Sequence, residues 1–299
     1  MTVANHGDSQ GAHRVPDQFD EIRAAFEYLL SCGLENKDPK EVPALLEPLF
    51  THWQGQWIYL GENQVWHRGR KIDDAKGYQN ISDVSINRDS QYGRAHMPFF
   101  QPMFYASRCP ATVYPELDAQ SGDYLQMVMC RVRPGDRCKA GIVGEWEQIN
   151  NSGLSLIGYD KSIQTFEQMV REDPERALES LLVDSLFAEV FSKRAKGEEY
   201  ALSAYIAQII LQQGGAALMY PSVQHRGGLN IAVCEKEYDE LFVIECCDIV
   251  HVRDLGGGVF MPTPVRMSER IEADGTIVWA KTIPVDRKIS WSVKGGTRF

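Results

Sequence analysis

Five short β-forming segments, at 103–106, 124–132, 218–220, 229–234 and 241–252, are interrupted by only two long helical patterns in the middle of the chain. This uneven order restricts the fold more than any other feature. A doubly wound sheet needs strand and helix to alternate, and here they do not, so the order predicts an α+β domain. The helical patterns cover 174–194, with Leu178, Leu181, Leu182, Leu186 and Val190 expected inward, and 199–213. Near the end, 266–272 and 276–281 flank Asp274–Gly275, a strong hairpin signal.

Two further helices are expected ahead of the strands. From Asp17, the positions Phe19, Ile22, Phe26, Leu29 and Leu30 recur at helical spacing, and Gly33 is a suitable stop. Val42, Leu45, Leu46, Leu49 and Phe50 predict the second; Pro43 fits only its first turn, and Pro48 leaves its end open. Alone these helices could bury little, so 17–55 is read as a helical segment capping the domain. Residues 1–16 are polar, are expected to be a disordered tail, and hold no apolar run of a secretory signal.

Forty-one acidic against 31 basic residues give a net charge of −10. Such a surface attracts neither nucleic acid nor an anionic membrane over its whole face. An anionic ligand must then be held by a few Arg side chains or backbone N–H groups. No stretch reaches the roughly 18–20 apolar residues of a membrane span. Seven cysteines, Cys32, Cys109, Cys130, Cys138, Cys234, Cys246 and Cys247, show no metal-type pairing, and several lie in apolar runs. They read as reduced thiols, which predicts a cytoplasmic location.

Missing motifs narrow the chemistry. There is no phosphate-binding G-x-x-x-x-G-K-[ST] loop, no G-x-G-x-x-G after a strand, no H-E-x-x-H and no C-x-x-C. The segment 153–158 resembles a nucleophile elbow, but its second Gly falls one place too late. Three segments remain. Val65-Trp66-His67-Arg68-Gly69-Arg70 delivers two guanidiniums, whose planar forks suit phosphate, although surface arginines give the same pattern. Gly93-Arg94-Ala95-His96 precedes an apolar strand ending at Tyr105, with Thr112 and Glu116 a short turn further on; alone, these fit a core ring and a solvated acid. Tyr220-Pro221-Ser222 leads to Arg226-Gly227-Gly228-Leu229-Asn230, where a serine after Pro is commonly a turn hydroxyl.

Taken in order, these pieces resemble the RES domain family. Arg68 matches its opening Arg; Gly93, Arg94, Tyr105, Ala106, Thr112 and Glu116 follow; Tyr220, Pro221, Ser222, Gly227, Gly228 and Asn230 complete the pattern. The match covers about 60–236, and Ala106 departs from it by following Tyr105 directly. The resemblance implies an ADP-ribosyltransferase-like α+β fold over 56–252 with an NAD⁺ cleft. It also implies an NAD⁺ glycohydrolase or phosphorylase activity, typically that of a bacterial toxin restrained by a cognate antitoxin. NAD⁺ is then the substrate, and no metal or other cofactor is expected. Arg68 would anchor the diphosphate with Arg94 as a second contact. Tyr105 would stack on nicotinamide or ribose, Glu116 would hold the ribose hydroxyls and stabilise a cation at C1′, and Ser222 would position the same end. The chain is longer than compact members, with the helical segment at 17–55, extra sequence around 135–158 and a C-terminal β extension at 253–299. Two other activities fit the same cleft: transfer of ADP-ribose to a macromolecule, and NAD⁺ binding without catalysis.

Overall fold

The structure, a computed structural model, describes residues 17–86, 92–98, 100–225 and 227–283. The tail expected at 1–16, Arg226 and the 284–299 part of the expected C-terminal extension lie outside these residues. Helix α1 (Gln18–Ser31) starts where the Asp17 side chain accepts from Asp20 N at 3.0 Å, and Gly33 follows in the left-handed region at φ 65°. Helix α2 (Val42–His52) takes Pro43 in its first turn and runs on through Pro48. The lost hydrogen bond is offset by core packing of Val42, Leu46 and Leu49. Helices α3 (Ser82–Ser85), α4 (Pro110–Glu116), α5 (Glu145–Ser152) and α6 (Asp160–Glu172) follow. Then come α7 (Pro174–Ser192), α8 (Ala201–Gln212) and α9 (Glu235–Leu241).

The strands are β1 (Gln56–Leu60), β2 (Val65–Ile72), β3 (Met103–Ser107), β4 (Tyr124–Val132) and β5 (Cys138–Ile142). They continue as β6 (Ala217–Pro221), β7 (Leu229–Cys234), β8 (Phe242–Asp254), β9 (Phe260–Ile271) and β10 (Ile277–Trp279). All ten form one sheet in the order β1-β5-β6-β7-β3-β2-β4-β8-β9-β10. Only β5 and β6 run parallel; the other neighbours are antiparallel. This is the mixed α+β class the segment order predicts. The sheet has a weak seam near its middle. There β2 and β3 pair only at His67 and Ser107, whereas β2 and β4 pair over eight positions.

The stretch around 135–158 contributes β5, which lies one strand in from the edge of the sheet, between β1 and β6. Past residue 253 the sheet simply goes on: β9 pairs along β8, and β10 along β9. Helices α1 and α2 share a core with α7 and α8, where Ile22, Leu46, Phe187 and Ile206 meet Leu218 and Ala232 of the sheet. The inward face of α7 differs from expectation. Leu178 is 53% exposed, and Leu181, Leu182 and Leu186 are only half-buried, while Ala177, Val183, Phe187, Ala188, Val190 and Phe191 are buried. Because α7 is flanked by α1, α2, α5, α6, α8 and β6, its buried surface wraps round the helix and follows no single leucine stripe.

Candidate functional site

Strand alternation places His67, Ser107, Asn230 and Tyr220 in one row across four adjacent strands. His67 pairs with Ser107, Ser107 with Asn230, and Asn230 with Tyr220. Tyr105, two residues before Ser107, points the same way and packs on the helix-covered core. Helix α4 crosses this face on the far side of the seam. A glycine in β2 allows its close approach, because a Cβ at Gly69 would lie 2.5 Å from Val113 Cγ1 and 2.8 Å from Leu117 Cδ1. The last residue of α4 is Glu116, so its carboxylate hangs over the row.

Glu116 and Ser222, 106 positions apart, meet here. Ser222 Oγ donates to Glu116 Oε1 at 2.6 Å, and Asn230 Nδ2 donates to the same oxygen at 2.7 Å. Behind Asn230, Ser107 Oγ donates to Asn230 Oδ1 at 2.6 Å. Glu116 was therefore not a solvated acid, nor does it follow a short turn: β3 runs on to Ser107 and a helix intervenes.

A second contact ties the same helix to the same loop. Thr112, fully buried, lies one helical turn before Glu116 and thus on the same side of α4. Its Oγ1 is 2.8 Å from His225 Nδ1. The loop 222–228 is closed on itself: Ser222 N donates to Gly228 O and Gly228 N to His225 O, both at 2.8 Å, and His225 N donates to Ser222 Oγ at 3.1 Å. Gly228 has no room for a side chain, since a Cβ would lie 2.8 Å from Thr112 Cγ2 and 2.9 Å from His225 O. Gly228→Ala should therefore shift the loop and carry Ser222 away from Glu116. A displacement near 1 Å typically costs a site on the order of 10²-fold in rate. Thermal melting should fall by only a few degrees, so steady-state turnover of a folded variant checks this; unchanged turnover would show that the loop tolerates the methyl.

Arg94 lies on the same face but is already engaged. Its guanidinium sits over the rings of Tyr200 and Tyr220 at 5.2 and 5.9 Å. It donates to Phe191 O and, at 3.1 Å, to Lys193 O. A cation on the last carbonyls of α7 is a favourable helix cap. Tyr105 is held by its hydroxyl, which accepts from Ala95 N at 3.1 Å, and burial pushes that hydroxyl's pKa well up. Both tyrosines of this face, Tyr105 and Tyr220, are thus neutral phenols.

Arg68 stands apart from this group. Its side chain lies with Phe104, whose ring is 5.8 Å from the guanidinium, on the opposite face from Tyr105. Its Nε donates to Val84 O at 2.6 Å and its Nη1 to Tyr105 O at 3.0 Å. The open seam leaves β3 carbonyls without a partner on β2, and Arg68 supplies one. Only 9% exposed, it pairs with no carboxylate among the described residues. Burial, and then the charge of Arg70, lower its pKa to about 10, so it remains a cation. Its neighbour His67 is held neutral, its pKa lowered to about 4 by burial and then by Arg108.

Among the described residues, no group of three His, Cys, Asp or Glu could hold a metal, and no helix is long and apolar enough to cross a membrane. No disulfide joins any of the seven cysteines. The sequence pattern alone brought forward Glu116, Ser222, Tyr105, Arg94 and Arg68; Ser107 and His225 carry no signal of their own in the sequence. No protein-family model matches the chain, and no curated protein matches it either.

Proposed function

We propose that the chain binds NAD⁺ and cleaves its nicotinamide–ribose bond, on an ADP-ribosyltransferase-like RES scaffold. The observation that carries this reading is the meeting of Glu116 with Ser222 and Asn230 from three distant segments. A carboxylate fixed by two donors supplies negative charge at one defined place, which a cation developing at C1′ requires. As the bond breaks, its electron pair passes to the pyridinium nitrogen, so nicotinamide leaves neutral and no strong general acid is needed. Water or phosphate then bonds to C1′, with the water's proton released to solvent. Tyr105, half-buried on the same face as the carboxylate, offers an aromatic ring that suits a planar cationic one. Ser222, donating to Glu116, is a positioning hydroxyl in this scheme and not a nucleophile.

Arg68 supports the anionic half of the ligand. Arg68 lies on the opposite face from Glu116, so a diphosphate would have to reach its remaining donors through the open seam between β2 and β3. Arg68→Lys keeps the charge and loses the fork. It is expected to raise KM for NAD⁺ on the order of tenfold and to change kcat less, because ground and transition states share the contact. Equal NAD⁺ affinity in calorimetric titrations of the two proteins would remove Arg68 from this role.

Seven cysteines not joined by disulfides fit a reducing, cytoplasmic setting. There the enzyme would drain a shared NAD⁺ pool, so a cognate antitoxin covering the cleft is part of the proposal. The deciding experiment is incubation of pure protein with NAD⁺ while free nicotinamide is followed. Release without a protein acceptor supports glycohydrolase or phosphorylase activity. Label transferred from NAD⁺ to an added extract would point to ADP-ribosyl transfer, and no reaction in either case would reject catalysis.

A further inference from the structure

We infer that Asn230, oriented by Ser107, is a positioning residue that locks the Glu116 carboxylate and leaves Oε2 as the oxygen presented to substrate. This rests on the function proposed above. Asn230 is 5% exposed and lies in β7, a central strand otherwise made of apolar residues: Leu229, Ile231, Ala232, Val233 and Cys234. Asparagine is a poor strand former, and a buried amide is unfavourable unless every group is satisfied. A valine here would serve the sheet better. The amide is therefore kept for what it binds.

A primary amide presents an acceptor on one side and donors on the other, so its direction must be fixed from outside. Ser107 does this. Its hydroxyl donates to Oδ1 at 2.6 Å, which turns Nδ2 toward Glu116 Oε1 at 2.7 Å. The reverse orientation would set an amide oxygen against the carboxylate and leave the serine hydroxyl without its acceptor. With Ser222 Oγ also on Oε1 at 2.6 Å, that oxygen accepts two short hydrogen bonds. Glu116 Oε2 accepts none from the described residues. One carboxylate oxygen is thus spent on the protein and the other is held at a fixed angle toward the ligand. Removing the relay should free the Glu116 side chain to rotate, which weakens the transition-state contact and spares ground-state binding.

Nicotinamide release should be measured for wild type, Asn230→Ala, Ser107→Ala and Ser107→Thr, and for the two Ala changes combined with Glu116→Ala. Asn230→Ala is expected to lower kcat on the order of 10–100-fold, with KM changed by less than about threefold. Ser107→Ala should lower kcat by a smaller factor, and Ser107→Thr, which keeps the hydroxyl, should recover most of it. In the Glu116→Ala background neither change should lower kcat further, because both act through that carboxylate. An undiminished kcat in Asn230→Ala, or the same fold-loss with and without Glu116, overturns the proposal. A wild type that releases no nicotinamide rejects the proposed reaction instead. The positioning claim is then read without turnover, from the Asn230 side-chain amide signals, assigned by their loss in Asn230→Ala. A locked amide gives slowly exchanging signals that shift and exchange faster in Ser107→Ala; signals unmoved by that change would sink it.

Discussion

Glu116→Gln is expected to reduce nicotinamide release by about 10²-fold or more, the scale of one lost electrostatic stabiliser in a preorganised site. The substitution is unusually clean here. Both hydrogen bonds to Glu116, from Ser222 and Asn230, fall on Oε1. A glutamine can keep its oxygen at that position and place its amide nitrogen where Oε2 was. Shape and anchoring persist while the negative charge on the ligand side is replaced by a donor. NAD⁺ affinity should stay within a few-fold, so kcat falls and KM does not. Steady-state kinetics on a variant with unaltered melting temperature would check this. Turnover within a few-fold of wild type would mean that the charge at Glu116 is not used in the chemical step. The same pair of proteins tests the cellular reading: at matched expression, wild type should lower bacterial NAD⁺ and growth while the Gln form does not.

Much of the fold was legible because its longer elements obey simple periods. The segment at 229–234 is β7 to the residue, and 124–132 is β4, each an apolar run of strand length. Strands β2 and β5 were harder, because polar residues interrupt them. Lys139 breaks β5, and His67, Arg68 and Arg70 break β2. His67 and Arg68 are buried, and Lys139 and Arg70 lie over the rings of Trp57 and Tyr78, for tertiary reasons that no local pattern carries. Helix α4 was hidden too. It is seven residues long with proline at both ends, and it reads as a turn unless its packing on Gly69 is known. Pro48 left the end of α2 open in the sequence, and tertiary packing that outweighs the lost hydrogen bond carries the helix on to His52.

The site was legible in its members and not in its arrangement. The order of the motif brought Glu116 and Ser222 forward together, and their hydrogen bond joins them. The role of Asn230 depends on register, which sets it between Ser107 and Tyr220, and register between distant strands cannot be read from one sequence. Arg68 and Arg94 show the other limit. A guanidinium that suits phosphate suits main-chain carbonyls equally well, and both arginines already hold some.

The largest effect on stability is expected at Asp184, a residue with no part in the proposed chemistry. It lies on α7, 1% exposed, and its carboxylate gathers three elements. Oδ1 accepts from Trp53 Nε1 at 3.2 Å and Gly144 N at 3.0 Å; Oδ2 accepts from Trp146 N at 2.9 Å and Glu147 N at 3.3 Å. The last three are the unsatisfied N–H groups at the start of α5, so Asp184 caps that helix from outside while Trp53 fastens the end of α2. Asp184→Ala leaves four donors buried without an acceptor. The expected loss is about 3–5 kcal/mol, a large share of a typical domain's stability. Urea unfolding should show it, and a loss below about 1 kcal/mol would mean that water replaces the carboxylate. Asp184→Asn isolates the charge. Burial raises the Asp184 pKa to about 6, against the four hydrogen bonds that pull it down. Unfolded, it returns to roughly 3.9. Between about pH 4 and 6 the folded chain then holds the extra proton, so this group's contribution to stability falls as pH rises through that window and is level above it. The Asn variant lacks that titration. Its stability subtracted from that of wild type should decline by roughly 2–3 kcal/mol from pH 4 to pH 7. A difference that stayed flat would show that the four N–H groups fully offset the burial of the charge.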